Sequence, residues 1–143
     1  MTTAPTLPIA REAGIGFAIN ATLSLAFFLA IFGTVVRPVA WGAPDALAFD
    51  FVPQSIAVAL MSALVPALIA RKRLGLAVAV RTILLRAIGF AISGAVLGGL
   101  LAWTTQSAGL PPIAFHTALA LKLLYGGLLG AIITIMALKR MTR

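Results

Sequence analysis

The chain contains a run of 24 residues, 13–36, without a single charge. At about 1.5 Å of rise per residue, such a helix outreaches the ~30 Å hydrocarbon layer of a bilayer. Three further stretches are similarly apolar, at 51–70, 87–105 and 113–138, the last interrupted by Lys122 alone, and they are separated by segments rich in proline, glycine or charge. Lipid tails offer no partner to a backbone N–H or C=O, so segments of this kind are stable in a membrane only as helices that satisfy themselves. The expected fold is therefore all-α: a polytopic membrane protein, a four-transmembrane-helix bundle forming a single membrane domain over 1–143.

The composition agrees. Hydrophobic residues make up 62% of the chain and charged ones only 10%, well away from a soluble globular domain. Cysteine is absent, which excludes disulfides, thiolate metal sites and thiol nucleophiles. One histidine and three acidic residues leave little material for a metal site, and neither a metal nor a cofactor is expected. No phosphate-binding loop, zinc-protease helix or nucleophile elbow is present, so the chain does not read as an enzyme. A lipid-modifying activity stays open only where lipid or a partner supplies most of the reactive groups.

The net charge of +8 does not point to nucleic acid, because the basic residues flank apolar segments rather than interleave with polar, aromatic-bearing surface. It points to topology. With both termini inside (N-in/C-in), the cytoplasmic side carries Arg11, then Arg71, Lys72, Arg73, Arg81 and Arg86, then Lys139, Arg140 and Arg143, while the outer side carries Arg37 alone. That asymmetry is the positive-inside signal of a fixed orientation. Arg71, Lys72 and Arg73 are expected to meet anionic lipid head groups. The plasma (inner) membrane is the expected location, inferred from the lack of a long extramembrane domain or an obvious targeting segment.

Between the spans, 1–10 reads as a cytoplasmic tail ended by Arg11 and Glu12. Residues 37–50, with Pro38, Gly42, Pro44, Asp45 and Asp50, read as an outer loop in which Trp41 and Phe49 suit the interface. Residues 71–86 read as an interfacial segment on the cytoplasmic surface, 106–112 as an outer turn, and 139–143 as a cytoplasmic tail. Pro53 is tolerable in the first turn of its helix. Pro66 removes an internal hydrogen bond, frees the carbonyl of Ser62 and marks a hinge.

Small residues recur at four-residue steps: Gly89–Ser93 and Gly94–Gly98 in the third span, Gly126–Gly130 in the fourth. They predict close helix packing within the bundle, in a homo-oligomer or in a larger membrane complex, with a substrate path as the rival explanation. Lys122 is the most informative position. It lies ~12 Å below the outer boundary at 1.5 Å per residue, where an ammonium needs a partner or water. Either it snorkels toward head groups, since side chains lean toward the helix amino terminus, or it lines a polar cavity with Asp50 or Gln54 as partners and attracts an anion or carboxylate.

Asn20, Ser24, Ser62 and Ser93 form a possible polar seam, serving helix contacts or a small site. His116 is open to haem or pigment ligation, pH sensing or an interfacial position. Size and helix number are similar to small multidrug exporters and fluoride channels. However, Glu12 stands at the edge of the first span rather than within it, and the strong charge bias departs from their dual topology, so no family follows. The leading expectation is a protein that binds or transports a small solute at Lys122, Gln54, Asp50, Asn20, Ser24, Ser62 and Ser93. An accessory or scaffold subunit, docking a larger membrane complex through glycine-rich helix faces, is the alternative.

Overall fold

The computed structural model describes residues 8–143; most of the expected amino-terminal tail lies outside the described residues. Four helices account for most of the described chain: α1 (Ile9–Phe32), α2 (Phe51–Leu74), α3 (Val80–Ser107) and α4 (Phe115–Met141). Each is long and apolar enough to cross a membrane. Their outward faces carry large apolar side chains, among them Phe27 at 61% exposure, Ile92 at 61% and Trp103 at 69%. Water would penalise such a surface; hydrocarbon does not. The chain is an all-helical, multi-pass membrane protein.

The helices stand side by side in the order α1, α4, α2, α3. Helix α4 packs along both α1 and α2, α3 packs along α2, α1 and α2 barely touch, and α1 and α3 do not meet. Two opposite ends result. At one, Arg73 of α2 approaches Glu12 of α1 (3.9 Å), and the Arg86 guanidinium of α3 donates to the Arg140 carbonyl of α4 (3.1 Å). The Arg140 side chain there lies over the Phe90 ring. At the other end, Phe28 and Phe32 meet Phe115 and Ala118 beneath Val39 and Leu47.

Every helix boundary except the start of α2 differs from that read in the sequence. The first helix stops at Phe32, because Gly33 takes φ +79 and its N–H closes on the Leu29 carbonyl. Residues 33–36 stay apolar but turn toward Val39, which forms an isolated antiparallel bridge with Ile113. That bridge also delays the fourth helix to Phe115.

The expected interfacial segment 71–86 is not a separate element. Arg71, Lys72 and Arg73 form the last turn of α2, Gly75 caps it in the left-handed conformation, and α3 has begun by Val80. Only 75–79 connect the two, tied by Arg71 Nε donating to the Val78 carbonyl (2.6 Å). Long basic side chains near a helix end can hold their charges toward water while the helix continues, so an arginine cluster does not mark where a helix stops.

Glycine sets the helix separations. A Cβ on Gly94 would lie 2.6 Å from the Ser55 carbonyl oxygen, and one on Gly98 would lie 2.5 Å from that of Phe51, so α3 rests directly on the α2 backbone. Gly89 and Gly99 have open space, and Ser93 is exposed and bonded only to its own helix at the Gly89 carbonyl. The Gly89–Ser93 step thus makes no helix contact within the chain.

The loop 33–50 is folded rather than slack. Arg37 donates to Asp45 Oδ1 at 2.7 Å, and the Ala40 N–H donates to Asp45 Oδ2 at 2.8 Å. These two bonds, the Arg37 bond first, hold the Asp45 carboxyl below the usual carboxylate range. A depressed native pKa stabilises the loop above the ordinary aspartate value near pH 4, and the contribution disappears as pH falls through the lower, folded value. Acidification below about pH 4 is therefore expected to loosen the loop and change the fluorescence of Trp41, which packs beneath it. Asp45→Asn should remove most of that pH dependence; an unchanged acid transition in the variant would contradict the assignment.

Candidate intramembrane binding site

A regular antiparallel register builds the α1–α4 face. Gly16 faces Thr134, Asn20 faces Gly130 and Ser24 faces Gly126; each polar side chain lies opposite a glycine. Successive positions four apart share one helix face, so α1 presents Asn20, Ser24 and Phe28 in a buried stripe and α4 presents Lys122, Gly126, Gly130 and Thr134. A Cβ at Gly126 would overlap Ser24 and crowd Gln54, and one at Gly130 would overlap Asn20. The glycines are the space that lets polar side chains enter the helix interface.

Each polar group has an identifiable task. Asn20 Nδ2 donates to Ser62 Oγ (3.0 Å) and to the Gly16 carbonyl (2.8 Å), joining α1 to α2. The Ser62 carbonyl, left without its helical donor by Pro66, receives a long 3.4 Å contact from Thr134 Oγ1. Ser55 Oγ bonds both the Phe51 carbonyl and the Tyr125 hydroxyl. Tyr125 in turn stands edge-on to Phe51, with ring centroids 4.9 Å apart.

The ionic centre lies nearer the loop end. Lys122 is 2% exposed, and its Nζ stands 2.8 Å from Asp50 Oδ2 and 4.0 Å from the Phe51 ring centroid. At that distance the ammonium and the carboxylate form a close ion pair, which leaves Nζ with further N–H donors that Asp50 does not use. The lysine thus leans toward its helix amino terminus, but it ends on Asp50 and Phe51 rather than at the surface. Its positive charge is matched by one negative charge, so the centre is neutral as a unit.

Gln54 stands beside this pair. Its Nε2 donates to Ser24 Oγ (2.9 Å) and to the Lys122 carbonyl (3.1 Å), while its Oε1 is buried without a donor. An unmet buried polar atom costs about 1–3 kcal/mol. Lys122 and Gln54 are among the residues that line one cavity of about 490 Å³ between α1 and α2, with Lys122 Nζ and Gln54 Oε1 themselves buried just behind its wall. Its remaining wall is mainly apolar, including Leu23, Phe27, Ala57 and Met61. A volume in this range, apolar with a few convergent polar groups, is characteristic of small-ligand sites.

Of the residues singled out from sequence, the structure brings together Lys122, Asp50, Gln54, Asn20 and Ser24 along this cavity, with Ser62 bonded behind Asn20. Ser93 lies apart on the far face of α3. His116 is exposed and stacks edge-on against Phe115. Sequence reasoning missed Phe51, Tyr125 and Thr134. The signal for Thr134 was available, since it continues the four-residue series from Lys122 through Gly126 and Gly130. Tyr125 and Phe51 carried no comparable mark.

Comparison with family models, curated proteins and solved structures finds no match. Fold and site therefore define the class: a multi-pass membrane protein of four apolar helices with a buried ion pair beside an internal cavity.

Proposed function

We propose that this protein binds a small polar ligand, or the polar part of one, within the membrane at Lys122, Asp50 and Gln54, and that binding serves transport rather than catalysis. The observation that carries the reading is the cavity of about 490 Å³ lined in part by Lys122, Asp50 and Gln54, with the ion-paired ammonium and the unpartnered Gln54 amide oxygen buried at its wall. Ser24 orients the Gln54 amide, and Asn20 lines the inner end of the same cavity. Pro66, one turn beyond Ser62, supplies a hinge about which α2 moves relative to α1. The basic asymmetry supports placing both termini on the cytoplasmic side of a plasma membrane, with the ion pair nearer the outer face.

The test uses wild type, Gln54→Leu and the charge-neutral double variant Lys122→Leu/Asp50→Leu in detergent and in proteoliposomes. The probes are glycine, ethanolamine, glycerol and acetate. A ligand at a hundred times its Kd stabilises by about 2.7 kcal/mol. At least one probe is expected to raise the wild-type Tm and to enter wild-type liposomes faster, with both effects lost in the double variant. Equal responses of all three proteins to all four probes would overturn the proposal.

A second reading has its own support. Gly89, Ser93 and Gly99 lie on the outside of α3, where nothing among the described residues packs on the glycines. Outward small residues suit a helix of a second copy or of a larger membrane complex, which is the scaffold role. Loss of a co-purifying partner on Gly89→Leu, with the fold intact, would favour it.

A further inference from the structure

The geometry points to an amphiphile, with a head that is neutral or zwitterionic and carries both a hydrogen-bond donor and an acceptor, reaching the Lys122 site sideways from the bilayer between α1 and α2. This inference rests on the binding reading above and names the class of ligand.

The first observation is where the cavity opens. Helices α1 and α2 are its two walls; their backbones stay apart, bridged by the Asn20–Ser62 and Gln54–Ser24 hydrogen bonds, and α4 forms the back. The wall residues Leu23, Phe27 and Met61 are 46%, 61% and 48% exposed, and all three lie well inside their helices. At that depth the exposed surface faces hydrocarbon. A water-soluble solute coming that way would leave its hydration shell before meeting a polar group, whereas an amphiphile already in the bilayer would not.

The second observation is charge balance. Lys122 and Asp50 cancel each other, so a ligand with net charge would leave an uncompensated charge in a low-dielectric setting. The ligand that suits the site instead offers an acceptor to the Lys122 N–H donors that Asp50 leaves free and a donor to Gln54 Oε1, which has no partner. The lone lysine in the sequence suggested an anion; the paired lysine in the structure favours a neutral head. Hydroxyl-bearing heads and ammonium–phosphate zwitterions both qualify.

The third is size. A volume of about 490 Å³ lies in the range of small-ligand sites and exceeds what a head group alone would fill. It suits a glycerol-sized head with the first part of an acyl chain. The rest of the chain would lie along Phe27 and Met61 in the lipid.

The experiment places the full-length protein in lipid nanodiscs with a monoacylglycerol carrying a diazirine in its acyl chain, and compares a fatty acid with the same chain and photoprobe. Ala57→Trp fills the mouth of the cavity from an exposed position; Val96→Trp, on the exposed face of α3, controls for the substitution itself. The monoacylglycerol is expected to label α1 and α2 at the cavity. Excess unlabelled monoacylglycerol should compete, and Ala57→Trp should label about tenfold less, equivalent to 1.4 kcal/mol of binding. Val96→Trp should label as wild type does.

Labelling spread evenly over the helices, insensitivity to Ala57→Trp, or stronger labelling by the fatty acid would each overturn the inference. If glycerol or ethanolamine binds at Lys122 while the monoacylglycerol fails to label the cavity, the lateral amphiphile is wrong and the binding function stands. If neither the soluble probes nor the monoacylglycerol depends on Lys122 and Asp50, both are wrong.

Discussion

Replacing Lys122 by leucine is expected to destabilise the protein by about 3 kcal/mol, whereas the double variant Lys122→Leu/Asp50→Leu loses less than half as much. The single change leaves the Asp50 carboxylate facing an apolar cavity without its counter-charge, and removing one member of a buried pair typically costs about 3–5 kcal/mol. Asp50 retains 15% side-chain exposure, which places the effect at the low end. Removing both charges exchanges a desolvated pair for apolar surface, which is often close to neutral. Unfolding in mixed micelles, analysed as a double-mutant cycle, measures the coupling. Additive losses at the two positions would show that the residues do not act as a pair.

The second large effect lies away from the charges. Gly98→Ala is expected to cost about 1–3 kcal/mol and Gly98→Leu more, because the added atoms meet the Phe51 carbonyl and the Val52 Cα, backbone atoms that cannot turn aside, as well as Ser55 Oγ. The displacement reaches the ligand site, since Phe51 supplies the ring beneath Lys122 and its carbonyl accepts from Ser55. Ligand binding should therefore weaken along with stability in Gly98→Ala. Gly89→Ala and Gly99→Ala meet open space and should stay within about 0.5 kcal/mol of wild type. Equal losses at Gly89 and Gly98 would contradict the packing of α3 on α2.

The four helices were legible because hydrocarbon thickness and backbone self-satisfaction impose a length and a composition that few other structures share. Their ends were less so. Residues 33–36 are as apolar as the helix before them, and what bends the chain away is Gly33 together with the bridge from Val39 to Ile113, a partner far along the sequence. Arginines 71 and 73 were read as a stop, but long basic side chains complete the last turn of α2.

The site divides the same way. An ammonium in an apolar helix demands a partner, and Asp50 and Gln54 were the acidic and amide residues at matching depth, so that grouping was readable. Depth alone does not give azimuth, which is why Ser93 was set beside Asn20 although it faces the opposite way. Within the seam, Ser24 accepts from Gln54, while Ser62 accepts from Asn20. The opposition of glycine on α4 to each polar residue of α1 needs the helix pairing to be known first. Once α1 and α4 are set antiparallel, Asn20 with Gly130 and Ser24 with Gly126 fall into a single register.

The most direct test is solid-state NMR on the protein in bilayers, with 15N on the lysine ammonium groups and 13C on the aspartate carboxyls. The structure, with Nζ 2.8 Å from Asp50 Oδ2, predicts a strong dipolar contact between the Lys122 ammonium and the Asp50 carboxyl carbon, and no contact from that ammonium to lipid phosphorus. A Lys122 signal coupled to phosphorus and not to Asp50 would show a snorkelling side chain and would remove the physical basis of the proposed site.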